Sequence, residues 1–132
     1  MSVPQDIENL IAGAPLSAHL ATTADDRPHV APVWYGYRDG ILSVITGGKK
    51  LVNIRANPRV AVSIEKQGES GPEWSVSLLG TATVIEDAEQ TWAAREHVFG
   101  KYRDSDEEGE SDGDEQGTLV EIEIGSATSQ QY

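Results

Sequence analysis

The sequence of 132 residues contains no cysteine and carries a formal net charge of −12 at pH 7. The lack of cysteine excludes disulfide frameworks, thiolate metal sites and cysteine nucleophiles, and the acidic balance argues against nucleic acid, which is bound through basic surfaces. No apolar run is long enough to cross a membrane and no basic-then-apolar leader opens the chain, so we expect a cytoplasmic protein with no membrane partner.

The N-terminal part of the chain predicts one helix followed by two strands. Apolar residues between positions 3 and 11 recur at helical spacing, and Pro4 suits the first turn of a helix. Residues 16–22 alternate as a strand, and the acidic turn at 24–27 reverses the chain. A second strand is predicted from residue 28 to about residue 37.

Residues 38–55 hold the most informative local pattern. Arg38-Asp39-Gly40 predicts a hairpin turn, residues 41–46 form the returning strand, and a short helix follows from about residue 50 to 55. Lys49 and Lys50 therefore stand just past a glycine pair, where a strand leads into a helix. Backbone N–H groups and the positive end of the helix dipole favour an anion there, so the pattern predicts a phosphate site. The alternative is that the two lysines are only a solvated helix end.

The remaining sequence predicts three more strands and one long helix. Residues 60–64 alternate as a strand, and a glycine-rich loop at 67–72 separates them from a long strand over 74–84. Asp87 suits the N-cap of a helix over 88–102. Residues 118–124 alternate as a last strand.

We expect a single, mainly β domain over residues 1–125, with six antiparallel strands forming a small barrel and helices at its periphery. Residues 104–116 hold 8 of the 22 acidic residues and no base, which predicts a disordered acidic loop. Residues 126–132 are predicted to be a frayed tail. Four lysines beside 22 acidic residues are typical of a halophilic source, where salt screens repulsion between like charges.

An ordered set of short motifs runs through the first two thirds of the chain. They are Arg27-Pro28-His29, Pro32, Trp34, Thr46, Lys49-Lys50, Asn53, Asn57-Pro58-Arg59-Val60 and Gly80-Thr81-Ala82. Together they resemble the FMN-binding split-barrel family of pyridoxamine 5'-phosphate oxidase-like proteins, over roughly residues 7–86. Asp26 stands where the family pattern usually has glycine. The resemblance implies a split β-barrel fold, and together with the acidic composition we expect a haloarchaeal-type member of this family.

The resemblance also implies where FMN would bind. The strand ending at Trp34 would lie against the flavin and its ribityl chain, and Thr46 would donate to the edge of the ring system. The lysine pair would clamp the terminal phosphate. Members are homodimers with each flavin at the interface, so two residues are assigned to the pocket of the second subunit, Trp74 and Ser75. The implied cofactor-binding residues are Ala31, Pro32, Val33, Trp34, Ile45, Thr46, Lys49, Lys50, Asn53, Trp74 and Ser75.

The function implied by the resemblance is that of an FMN-dependent oxidoreductase with a small-molecule substrate. No residue resembles a general acid or base, which suits an enzyme whose cofactor performs the chemistry. The histidines, His19, His29 and His97, are dispersed, so we expect no metal site. Two alternatives remain open: a deazaflavin-dependent reductase on the same fold, and a non-catalytic module that holds a flavin or haem.

Overall fold

The computed structural model describes residues 3–102 and 117–132; the predicted acidic loop at 104–116 lies outside them. The described residues form three helices and seven strands. In chain order these are α1 (Gln5–Ile11), β1 (Ala18–Ala24), β2 (Arg27–Val33), β3 (Gly36–Arg38), β4 (Ile41–Thr46), α2 (Gly48–Ala56), β5 (Arg59–Gly68), β6 (Gly71–Ile85), α3 (Ala88–Phe99) and β7 (Thr118–Gln131). A single 3-10 turn, Gly100–Tyr102, follows α3.

The strands form one antiparallel sheet in the order β2-β1-β5-β6-β7-β4-β3. Its two edge strands, β2 and β3, are separated in sequence only by Trp34 and Tyr35. The two edges must therefore lie close together, and the sheet curls into a barrel with a seam at these two residues. The expected mainly β, antiparallel split barrel with peripheral helices is confirmed.

The predicted number of strands is wrong by one, because the strand expected over 28–37 divides at this seam. Tyr35 leaves the β-ladder, and its backbone N–H donates to the hydroxyl of Tyr102 at 3.1 Å. A side chain distant in sequence thus takes the hydrogen bond that a neighbouring strand would have supplied. Alternation along the chain cannot reveal such a break, since it reports only which face each residue occupies.

Inward-facing residues of the strands fill the barrel, and α1 closes one end. Leu20, Val76 and Ile122 are among the fully buried side chains, each contributing roughly 1.5–3 kcal/mol by leaving water. Ile11 is completely buried, and its carbonyl accepts a hydrogen bond from the Tyr35 hydroxyl at 2.7 Å. The helix is therefore attached to the barrel by both apolar contact and a hydrogen bond.

Two expectations for irregular segments are wrong. The glycine-rich stretch at 67–72 is a tight hairpin, in which β5 runs to Gly68 and β6 begins at Gly71 with a φ of +119°. The predicted frayed tail at 126–132 is instead the second half of β7, which pairs with β6 as far as Trp74 opposite Gln131. The long β6 presents unpaired backbone groups along this edge, and the tail satisfies them although its side chains are polar.

A smaller second core lies between α3 and the outer face of β4 and β7. It contains Ile45, Val98, Phe99 and Leu119. The Asp87 side chain accepts hydrogen bonds from the backbone N–H groups of Glu89 and Gln90 at 2.9 and 3.1 Å, which confirms the predicted N-cap. Since hydrogen bonds from Gln90 and Glu89 favour the carboxylate, they lower the pKa of Asp87.

Lys101, in the 3-10 turn, is a charged residue placed against the barrel seam. Its Nζ atom lies 3.5 Å from the centroid of the Tyr35 ring and has no hydrogen-bond partner in the described part of the chain. Burial lowers the pKa of Lys101 to about 7, and the ring face only partly offsets this cost to the charged form.

We therefore expect Lys101→Met to raise stability at pH 7 and to flatten its dependence on pH. The pKa of Lys101 is about 7 in the folded protein against an ordinary value of 10.5. Between these values the unfolded chain binds more protons, so stability rises with pH. Urea unfolding at pH 7, 8 and 9 measures this slope, below the range in which tyrosines ionise. Lys66→Met, which replaces an exposed lysine, is the control. If the free energy of unfolding depended on pH equally in Lys66→Met and Lys101→Met, the expectation would be contradicted.

Candidate functional site

The site predicted from the sequence lies where β4 leads into α2. Thr46 ends β4, Gly47 is the N-cap of α2, and Gly48 begins the helix with a φ of +62°. No side chain caps the helix and its first turn contains no acidic residue. The contrast with α3 is direct, because there the carboxylate of Asp87 occupies the equivalent position. The N-terminus of α2 thus has the dipole and N–H groups of an anion site without an anion from its own residues.

The two lysines of this turn lie in different environments. Lys49 is exposed, whereas Lys50 retains only 7% of its surface exposure and lies on the buried face of α2 with Asn53. Positive side chains are unfavourable at the positive end of a helix unless an anion compensates them. The exposed Lys49 therefore adds to the case for a phosphate.

Asn53 connects α2 to the barrel and leaves one polar atom unpaired. Its Nδ2 donates to Thr22 Oγ1 at 3.0 Å, while its Oδ1 is buried without a hydrogen-bond partner among the described residues. The residue is 1% exposed. Exchanging the two ends of the amide would only change which one lacks a partner. A buried polar atom of this kind costs about 1–3 kcal/mol, which a ligand hydroxyl or phosphate contact would recover.

His29 supplies a second such atom, on the strand next to Thr22. It lies directly opposite Thr22 in the β1–β2 register, so the two side chains share one face of the sheet. Its Nδ1 is also buried without a described partner. The sequence placed His29 in a motif and among the dispersed histidines, but did not assign it to the site. It also missed Thr22, since nothing along the chain signals that the Thr22 hydroxyl contacts α2.

The residues expected to meet the flavin ring are less accessible than those at the phosphate end. Ile45 and Thr46 are 4% and 0% exposed, and Val33 is also buried. Ala31 and Pro32 on β2 are the more accessible members of this set. One face of the Trp34 ring is not available to a flavin ring, because it stacks on Tyr102 with centroids 4.3 Å apart and an interplanar angle of 3°.

Trp74 and Ser75 lie at the opposite end of β6 from α2. Ala82, whose N–H donates to the Pro58 carbonyl just after α2, is eight residues further along β6, or about 26 Å in an extended strand. Trp74 is 8% exposed within the main core, and Ser75 is half-buried. Within one chain these two residues are not brought to the lysine pair, and their assignment to a second subunit stays a prediction.

The described ranges contain no group of three or more His, Cys, Asp or Glu side chains arranged to hold a metal ion. Nor does any described helix have the length and apolar character needed to span a membrane. The candidate site consists of the N-terminus of α2, Lys49, Lys50 and the unpaired atoms of Asn53 and His29.

Comparison with known proteins shows what this arrangement is similar to. The family model described as pyridoxamine 5'-phosphate oxidase matches residues 4–131. An FAD-binding protein from Mesorhizobium loti is 26% identical, with 98% of this chain and 95% of that chain covered and a TM-score of 0.72. An F420 reductase is 25% identical, with coverage of 96% and 98% and a TM-score of 0.71.

General stress protein 26 from Bacillus anthracis shares the fold, at 19% identity, coverage of 96% and 97%, and a TM-score of 0.67. The sequence matches no curated protein.

Proposed function

The chain belongs to the pyridoxamine 5'-phosphate oxidase family, and we propose that it binds FMN with the terminal phosphate at the N-terminus of α2. The observation that carries this proposal is the helix start at Gly47, where two lysines but no capping side chain or first-turn acid are present. The similarity to an FAD-binding protein supports a flavin as the source of the phosphate.

The chain's own residues bind and orient the cofactor. Lys49, which is exposed, reaches the phosphate from solvent, and the backbone N–H groups of the first turn donate to its oxygens. Asn53 Oδ1 and His29 Nδ1, both unpaired, are available to the polar chain of the ligand. The bound flavin supplies the redox chemistry, so the protein is proposed to be an oxidoreductase acting on a small molecule, in a halophilic cytoplasm.

A deazaflavin is the second candidate for the cofactor. The specific observation in its favour is the similarity to an F420 reductase over 96% of the chain. A deazaflavin also presents a phosphate, so the helix terminus and lysine pair of this chain fit both cofactors.

We further propose a homodimer formed through the outer face of β2, β1, β5 and β6. The strand register aligns two rows on this face, namely Val30, Ala21, Ala61 and Leu79, and Pro32, His19, Ser63 and Ser77. Neither row contains an aspartate, glutamate, lysine or arginine, in a chain whose net charge is −12. Val30 and Leu79 are 64% and 60% exposed. Depletion of charge with exposed apolar side chains is typical of the centre of an interface.

The homodimer is tested by light scattering of Leu79→Glu in high salt. A charge on the uncharged face should shift the protein towards monomer, because a buried unpaired carboxylate opposes association. Trp92→Glu on α3, where the side chain is 74% exposed, is the matched control. It should leave the molar mass of the assembly, measured by light scattering, unchanged. A wild-type monomer at all concentrations would overturn the proposal.

The cofactor is tested by the absorbance spectrum of the purified protein and the mass of what heating releases. We expect FMN, at one molecule per chain. Release of a deazaflavin would replace FMN by the second candidate, and release of haem would favour a non-catalytic module. A protein that neither releases a chromophore nor binds added FMN would contradict both flavin proposals.

A further inference from the structure

A cleft of about 480 Å³ lies between α3 and the sheet, outside the proposed flavin site. One wall is the face of α3 that carries Ala93, Ala94 and His97. The floor comes from β4 and β7, with Ile41 and Leu119 among its apolar residues. Such a volume, with apolar walls and a few polar groups, is typical of small-molecule sites.

Two side chains of opposite charge line this cleft without pairing. Arg38 ends β3 and Glu121 lies on β7. Within the described ranges neither has an ion-pair partner, since the ion pairs there join Arg55 to Glu86 and Lys66 to Glu73. The strand between them, β4, pairs with both, and strand spacing puts their Cα atoms about 12 Å apart.

The other ionisable groups of the cleft leave this charge separation in place. Burial, with the nearby charges of Arg38 and Lys101, lowers the pKa of His97, so its imidazole is neutral at pH 7. Asp39 is exposed at the rim, in the β3–β4 turn. The cleft therefore has a cationic side at Arg38 and an anionic side at Glu121, with an apolar floor between them.

We infer that this cleft binds a small zwitterion with a carboxylate and an ammonium at opposite ends of an apolar body. The carboxylate pairs with Arg38, the ammonium pairs with Glu121, and the body covers Ile41 and Leu119. A molecule with only one charge would pair with only one of these two side chains. This site is separate from the helix terminus proposed for the flavin phosphate, and its occupancy does not depend on the flavin.

The test is calorimetric titration of the full-length protein at pH 7 with four probes in one buffer. The first, 4-(aminomethyl)benzoate, has separated charges; L-phenylalanine has adjacent charges; benzoate and benzylamine have one charge each. We expect 4-(aminomethyl)benzoate to bind roughly tenfold or more tightly than either single-charge probe. Equal affinities for all four probes, no binding of any, or a preference for L-phenylalanine would overturn the inference.

Variants locate the binding in the cleft. Glu121→Gln should reduce the affinity for 4-(aminomethyl)benzoate to that for benzoate, and Arg38→Gln should reduce it to that for benzylamine. Ala93→Leu narrows the cleft from the exposed side of α3 and should abolish binding, whereas Ala88→Leu on the same helix, outside the cleft, should not. Each variant is also titrated with FMN, whose affinity should be unchanged. Unaltered probe affinity in Ala93→Leu would place the binding elsewhere and overturn the inference.

Discussion

Replacing Lys49 and Lys50 together by alanine should weaken FMN binding by about 10²-fold or more and leave riboflavin binding nearly unchanged. Hydrogen bonds to a charged group contribute roughly 1.5–3 kcal/mol each, and two of them are lost only when the ligand carries the phosphate. Titration of FMN and of riboflavin, followed by quenching of flavin fluorescence, measures the two losses separately. Equal losses of affinity for FMN and riboflavin would show that the lysine pair does not bind the phosphate.

Two controls separate loss of charge from loss of structure in this experiment. Lys50 is 7% exposed, so its aliphatic stem contributes to packing, and Lys50→Met keeps the stem while removing the charge. Lys66→Ala removes a half-exposed lysine at the β5–β6 end of the barrel and should leave both affinities unchanged. If Lys66→Ala weakened FMN as much as the double variant does, a general effect of net charge would explain the result.

Replacing Tyr102 should produce the largest loss of stability of any single substitution proposed for this chain. Its hydroxyl accepts from the Tyr35 N–H at 3.1 Å and donates to the Leu16 carbonyl at 2.7 Å, and its ring stacks on Trp34. Tyr102→Ala removes a buried ring at the barrel seam and should lower the free energy of unfolding by about 3–5 kcal/mol. Urea unfolding followed by tryptophan fluorescence measures this change.

Tyr102→Phe distinguishes the hydroxyl from the ring. It keeps the stacking but leaves a backbone N–H and a carbonyl at the seam without this partner, so we expect a loss of about 1–3 kcal/mol. Tyr132→Phe is the matched control, because Tyr132 is 64% exposed. This substitution should change the free energy of unfolding by no more than about 0.5 kcal/mol. A loss in Tyr102→Phe no larger than in Tyr132→Phe would show that the hydroxyl does not hold the seam.

The sequence by itself determined the features that depend on near neighbours along the chain. Alternating apolar residues predict most strands, and Asp87 predicts the start of α3, because side-chain direction and capping are local properties. The strand, glycine pair, lysine pair and helix of residues 41–56 were predicted for the same reason. The proposed anion site depends only on a helix terminus and the residues next to it in the chain, so the sequence could predict its parts.

Only the tertiary structure decided which residues distant in sequence contact these local elements. The stacking of Trp34 on Tyr102 and the pairing of Thr22 with Asn53 join residues 68 and 31 positions apart, and no periodicity encodes such contacts. The tail beyond residue 125 is polar and predicts fraying, yet it pairs with β6 because backbone hydrogen bonds are independent of side-chain hydropathy. The cleft beside α3 likewise depends on long-range strand pairing, because Arg38 and Glu121 lie on the two strands that flank β4 in the sheet.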